Sequence, residues 1–214
     1  MKNATDITIV LDRSGSMADI RSDVIGGFNR FVKDQQAVLG ECKLTLIQFD
    51  TQDPYEVVRD NVPIGEVRPL DEATYQPRSG TPLYDCLGRA IVNTGERIKN
   101  LPESERPDKV IFVIQTDGLN NASHEYTRER VFEMVKLQET SYKWQFVYLG
   151  ADQDAMAAGG GIGISMGTSM KYEKTAGALR AVYAGASANV ASFRTGEKKD
   201  LAWTAEQRAE AAKP

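Results

Sequence analysis

Histidine, cysteine and tryptophan are scarce in this chain of 214 residues, with one, two and two copies, and each scarcity removes a class of function. A single histidine, His124, cannot build a multi-histidine zinc site. The two cysteines, Cys42 and Cys86, are too few for a disulfide framework and are not spaced as a metal-binding pair, so buried free thiols are expected. Positive charge is also short. The formal net charge is -4 and the pI near 5.2, whereas affinity for a phosphate backbone needs clustered Lys and Arg to displace counterions. Nucleic acid is excluded as the main partner. No apolar run approaches the roughly 20 residues that span a bilayer. The stretch from Met1 to Asp12 has neither an extended apolar core nor a small-residue cleavage site. The expectation is a protein that is not secreted, has no membrane partner and is cytoplasmic.

Hydrophobic and charged shares of 41% and 26% are ordinary for soluble globular proteins, and the length suits one sizeable domain. Four near-continuous apolar runs of strand length, Ile7 to Leu11, Leu44 to Phe49, Val110 to Ile114 and Phe146 to Leu149, read as parallel strands covered on both faces. Helical spacing separates them. Leu83, Leu87, Ala90, Ile91, Thr94 and Ile98 fall on one face; a second helix is expected from about Ala18 to Leu39, a third from near Thr127, and a last one through Ala176, Leu179, Tyr183, Ala186, Val190 and Phe193. Alternating apolar strands and amphipathic helices predict an open, doubly wound α/β sheet with helices on both faces. Tyr55 to Arg59 follows the second strand too closely for a crossover helix and is expected as an antiparallel edge strand. The glycines 159 to 161 and 163 lack the following lysine of a phosphate loop and are expected to form a tight turn into a short sixth strand, Ile164 to Met166. Residues 1–194 are expected to form the domain, and the polar residues 195–214, with Trp203 their one large anchor, a docked helix or a loose tail.

In open α/β sheets ligands sit beyond the carboxyl ends of the strands. The first strand ends there in Asp12-Arg13-Ser14-Gly15-Ser16, one carboxylate and two hydroxyls within five residues. Such oxygens suit Mg²⁺, which takes six oxygens in octahedral geometry and leaves positions for water or ligand oxygens; Gly15 suits a tight loop. The same spacing also suits helix capping. Ser79-Gly80-Thr81-Pro82 brings a further hydroxyl just before the Leu83 helix, where Thr81 as cap and Pro82 at the first helical position is the alternative. Thr116-Asp117-Gly118 closes a central strand and delivers a second carboxylate to the same rim. Two acids on adjacent strand ends repel unless a cation or a proton intervenes.

Asp12-x-Ser14-x-Ser16, then Thr81, then Thr116-Asp117-Gly118 resembles the metal-ion-dependent adhesion site of von Willebrand factor A domains, in the family's order and at intervals close to those usual in it. The resemblance covers about residues 5 to 194. It implies a Rossmann-like, mainly parallel sheet with one antiparallel edge strand. It also implies Mg²⁺ or Mn²⁺, ahead of Ca²⁺, held by Asp12, Ser14, Ser16, Thr81 and Asp117. In the family the hydroxyls coordinate, the aspartates bind directly or through water, and an open position accepts a partner's Glu or Asp. A divalent-cation-dependent protein-binding module for assembly or recruitment follows, not an enzyme, and the compact layout fits a bacterial or phage origin.

Two other functions are weighed. A metal-dependent hydrolase would use the same ion as a Lewis acid, but His124 is its one histidine and is expected as an exposed loop residue; neither serine lies in a nucleophile elbow. A metal-free scaffold would keep the motif as loop and cap chemistry. Asp19, Asp23, Asp50, Asp53, Asp71 and Glu72 are expected to be solvated surface charges, an auxiliary cation site near the rim being the alternative. Arg13, Met17, Leu119, Asn120, Asn121 and Tyr84 flank the ion site and are expected to shape which partner fits.

Overall fold

The computed structural model describes residues 4–151 and 154–213; Met1 to Asn3, part of the N-terminal stretch read above, lie outside the described residues. Six strands form one sheet: β1 (Thr5–Asp12), β2 (Cys42–Phe49), β3 (Glu56–Pro63), β4 (Lys109–Thr116), β5 (Gln145–Ala151) and β6 (Ser169–Tyr172), in the order β3-β2-β1-β4-β5-β6. The sheet is parallel except for β3, which runs antiparallel to β2 with two register irregularities. Among the described residues, six α-helices accompany the sheet: α1 (Arg21–Gln36), α2 (Leu83–Lys99), α3 (Arg128–Tyr142), α4 (Ala155–Gly161), α5 (Ala176–Thr195) and α6 (Ala205–Ala211). None of the described helices is long and apolar enough to cross a membrane.

Both faces of the central strands are buried, as their unbroken apolar character requires. Ile7, Ile9 and Leu11 of β1 join Ile111 and Val113 of β4 under α1 and α5, while Val10, Phe112 and Ile114 pack under α2 and α3. The period of two divides the core into two layers. Close packing of helices is gained with glycine: a Cβ on Gly27 of α1 would lie 2.1 Å from the Tyr183 ring of α5, and one on Gly185 of α5 would lie 2.5 Å from Trp203. Leu201, Trp203 and Ala211 are buried in the α1/α5 layer, so the residues around α6 share that core.

Two expectations fail near the glycine run. Residues 155–161 are helical, because the Asp154 side chain caps them by accepting the Ala157 N–H at 3.0 Å and Gly159 lets the helix approach Ser169 and Tyr148. The turn follows later, at Gly163 with φ +88°. The sixth strand is accordingly Ser169–Tyr172, five residues beyond where Ile164 to Met166 would have begun it; Ile164 is instead buried under the α2/α3 layer.

Strand order reverses between β1 and β4, since the chain moves from β1 towards β2 on one side and reaches β4 on the other. Loops leaving those two strands part there and open a crevice at their carboxyl ends. Asp12 and Thr116 terminate the two strands.

Candidate metal centre

The crevice is assembled from three loops. After β1 the chain turns at Arg13 and enters a 3-10 turn, Gly15–Ile20, that leads into α1. The segment before α2 is stitched onto it by two backbone bonds, Gly15 N–H to Ser79 O at 2.9 Å and Arg78 N–H to Arg13 O at 2.8 Å. Ser79 adopts a left-handed backbone, φ 61°, to make that turn, a conformation that costs an L-residue roughly 1–2 kcal/mol. The third loop, after β4, grips the second: Thr81 donates its N–H to Asn121 Oδ1 at 2.8 Å and accepts the Asn121 N–H at 3.1 Å. Asp85 of α2 fixes the rest of that loop by accepting the N–H groups of His124, Glu125 and Tyr126.

Asp12, Ser14, Ser16, Thr81 and Asp117 all lie at this rim. Asp12 is fully buried; its Oδ1 accepts the Ser14 N–H at 2.6 Å and its Oδ2 the Thr116 hydroxyl at 2.6 Å. Ser14 Oγ and Ser16 Oγ lie 3.2 Å apart, and Ser16 Oγ donates to Asp117 Oδ1 at 2.7 Å. Thr81 is buried, with its Oγ1 3.6 Å from where a Cβ on Gly118 would stand. Ser16 is the exposed member and marks the open side. The other oxygen of Asp117, Oδ2, is buried without a well-aligned hydrogen bond; the Lys174 ammonium lies 2.8 Å from it as an ion pair.

The capping alternatives do not describe these side chains. Pro82, not Thr81, stands at the cap of α2, and the N–H groups of Tyr84 and Asp85 go to Ser123 Oγ at 3.0 and 3.1 Å. Ser14 precedes the 3-10 turn but its hydroxyl caps nothing there. Gly15 has no left-handed backbone; a Cβ there would stand 3.4 Å from Ser79 O, so its use is the close approach of two loops.

Electrostatics follow from burial. Desolvation pushes the Asp12 carboxyl up to about 6, against the pull of the Thr116 and Ser14 hydrogen bonds, and the neighbouring Asp117 charge adds to the rise. Two carboxylates and three hydroxyls form an oxygen-only donor set, which fits a hard divalent cation and gives nothing to a soft one. Among the described residues no three His, Cys, Asp or Glu side chains gather to hold a metal, so hydroxyls are an essential part of this set. The buried, hydrogen-bond-deficient Asp117 Oδ2 is the atom that most favours a cation.

Three expectations about neighbours are corrected. Asp50 is buried: desolvation raises its pKa, but bonds from Arg78, the Gln52 and Asp53 N–H groups and Arg13 outweigh that and hold it below the usual carboxylate value. Arg13 turns away from the rim, donating from Nε to Asp50 at 2.7 Å and from NH1 to Gln48 and Glu56. Met17 is buried in the core. Of the flanking group, Leu119, at 65%, and Asn121 are exposed.

Solved structures that this chain resembles share its architecture. The pilus adhesin SpaC from Lactobacillus rhamnosus GG superposes with a TM-score of 0.63 at 16% identity, over 90% of this chain and 31% of that one. A von Willebrand factor type A protein from Catenulispora acidiphila gives 0.56 at 12%, over 88% and 43%. This chain has the von Willebrand factor type A fold. Proximal thread matrix protein 1 from the mussel byssus, solved with a zinc-occupied metal-ion-dependent adhesion site, gives 0.57 at 16% identity, over 88% and 46%. The chain spans less than half the length of each of these proteins. No family model and no curated protein matches the sequence.

Within this type A fold, sequence reasoning missed several residues that shape the rim. Lys174 comes from the turn between β6 and α5, far along the chain. Tyr75, fully buried, donates its hydroxyl to the Asp12 carbonyl at 2.7 Å. Nothing in local pattern marks either one. Thr116 was legible as part of the Thr-Asp-Gly ending but not as the donor that orients Asp12.

Proposed function

We propose that the chain is a divalent-cation-dependent binding module that captures a carboxylate of a protein partner, acting in the cytoplasm in assembly or recruitment. The observation that carries this reading is the convergence of Asp12 and Asp117, both buried, with three hydroxyls on one open rim. Asp12, Ser14, Ser16, Thr81 and Asp117 would hold Mg²⁺ or Mn²⁺. When bound, the ion supplies an electrophilic position to which a Glu or Asp side chain can add. The chain's own part is orientation. Thr116 and the Ser14 N–H fix both oxygens of Asp12, Asn121 fixes Thr81, and Ser16 on the solvent side leaves room for an incoming group.

Chemistry beyond binding has little support at this rim. His124 is exposed, and only its backbone N–H is anchored, to Asp85. Burial pushes the thiol of Cys42 up to about 11 and that of Cys86 well above its ordinary value, which suits structural thiols and not nucleophiles.

Metal removal tests the proposal. A cation that binds only the folded state adds about 2.7 kcal/mol at a hundredfold excess over Kd. Thermal unfolding in EDTA, then in Mg²⁺ and Mn²⁺, is expected to show a metal-dependent rise in Tm that Asp12→Ala and Asp117→Ala abolish. Identical melting with and without metal would remove the basis of the reading. Partner capture is checked with a Glu-bearing peptide library presented in Mg²⁺ and in EDTA: retention is expected only with metal, and only for carboxylate-bearing members.

A further inference from the structure

Lys174 is absent from the motif but sits inside the site. Its ammonium lies 2.8 Å from Asp117 Oδ2, a buried site oxygen without an aligned hydrogen bond. The Asp117 side chain has no exposed surface and that of Lys174 is a quarter exposed. A carboxylate so buried needs a counter-charge. Lys174 supplies one positive charge where the donor set would take two.

We propose that Lys174 is a resident cation that competes with the divalent ion for Asp117 and thereby sets the affinity of the site. The inference rests on the metal-binding reading above. An ammonium at ion-pair distance from Oδ2 takes up room and negative charge that a metal bound through that oxygen would use. A divalent ion bound beside an unmoved ammonium would be repelled by it. Metal entry therefore expels Lys174 towards solvent, which its partial exposure permits.

Calorimetric titration of Mg²⁺ and Mn²⁺ into wild type and Lys174→Met tests the competition. Removing the competing charge is expected to tighten binding by roughly tenfold or more, and Lys174→Arg, which keeps a charge, is expected to stay near wild type. A mere loop anchor would give the opposite result, unchanged or weaker binding in Lys174→Met, and that overturns the inference. Binding in neither protein removes the metal reading itself, and this inference with it; equal binding in both removes the inference alone. A second measurement needs no variant. Amine-reactive labelling of wild type, read by mass spectrometry at Lys174, is expected to rise several-fold on adding Mg²⁺ to chelator-treated protein. Labelling that does not change with metal would sink the exchange even if Lys174→Met failed to fold.

Discussion

At Asp12 burial and hydrogen bonding pull in opposite directions, and burial wins, placing its pKa at about 6 against an ordinary 3.8. Between those values the folded chain holds a proton that the unfolded chain has released. The resulting stability is complete below pH 4 and is lost as pH rises through 6. A tenfold difference in proton affinity between the two states corresponds to ~1.4 kcal/mol. In EDTA, wild type is therefore expected to lose about 3 kcal/mol relative to Asp12→Asn between pH 4 and 7. Chemical denaturation of both proteins across that range measures it, and parallel pH profiles would refute it. Bound metal should erase the difference in slope by stabilising the carboxylate. At this scale the sequence was informative where chemistry coincides with strand ends: Asp12 and Asp117 stand where an apolar run stops. It misled at Asp50, which also follows a strand, because only the fold shows that Arg13 and Arg78 converge on it. Lys174 was illegible for the same reason, its partner Asp117 being brought to it by the sheet and not by local spacing.

Helices in this molecule are placed by what they lack as much as by their apolar stripes. Gly27 leaves a space that the Tyr183 ring fills, and the hydroxyl of that ring is held by Gln115, so the ring cannot swing aside cheaply. Gly27→Ala is expected to destabilise by about 1–3 kcal/mol through overpacking. Gly26→Ala, with nothing within 4 Å of its new methyl, should be neutral or slightly stabilising because alanine favours the helix. Equal urea midpoints for the two variants would contradict the packing account. Helix positions were readable from spacing, since α2 and α5 begin at Leu83 and Ala176 as the periodicity requires. The short elements around residues 154–172 were not. Three adjacent glycines suggest a turn, but a capping aspartate and the close approach of Gly159 to Tyr148 favour helix, and no single-residue propensity contains that contact.

For the whole molecule the question is how far the cooperative unit extends. Trp203 lies beyond the segment that carries the sequence resemblance, yet it is 7% exposed, donates its indole N–H to Thr168 O at 3.3 Å and fills the space left by Gly185. Arg208 of α6 adds bonds to the carbonyls of Met166, Gly167 and Ser169 beside β6. Trp203→Ala is expected to cost about 3–5 kcal/mol and to shift one whole thermal transition. A separate early transition, with the main one unmoved, would show instead that these last residues melt alone. The alternation of strands and helices was enough to read the sheet, because its central strands must bury both faces, and the link after β2, too short for a crossover helix, was enough to read the antiparallel edge. The docking of α6 was left open by a polar composition with one aromatic anchor.

The pairing of β1 with β4 sets a schedule for the growing chain. Thr5 lies opposite Lys109, and Thr116 reaches back 104 residues to hold Asp12. At a synthesis rate of about 5–20 residues per second, the first strand waits on the order of 5–20 s with β2 beside it and its other edge uncovered. Through that interval the two serines exist without Asp117, and Asp12 without the hydroxyl that orients it. The ion site therefore cannot form on a ribosome-bound chain until Asp117 has followed the serines by some hundred residues, although β5, β6, α5 and α6 are still to come.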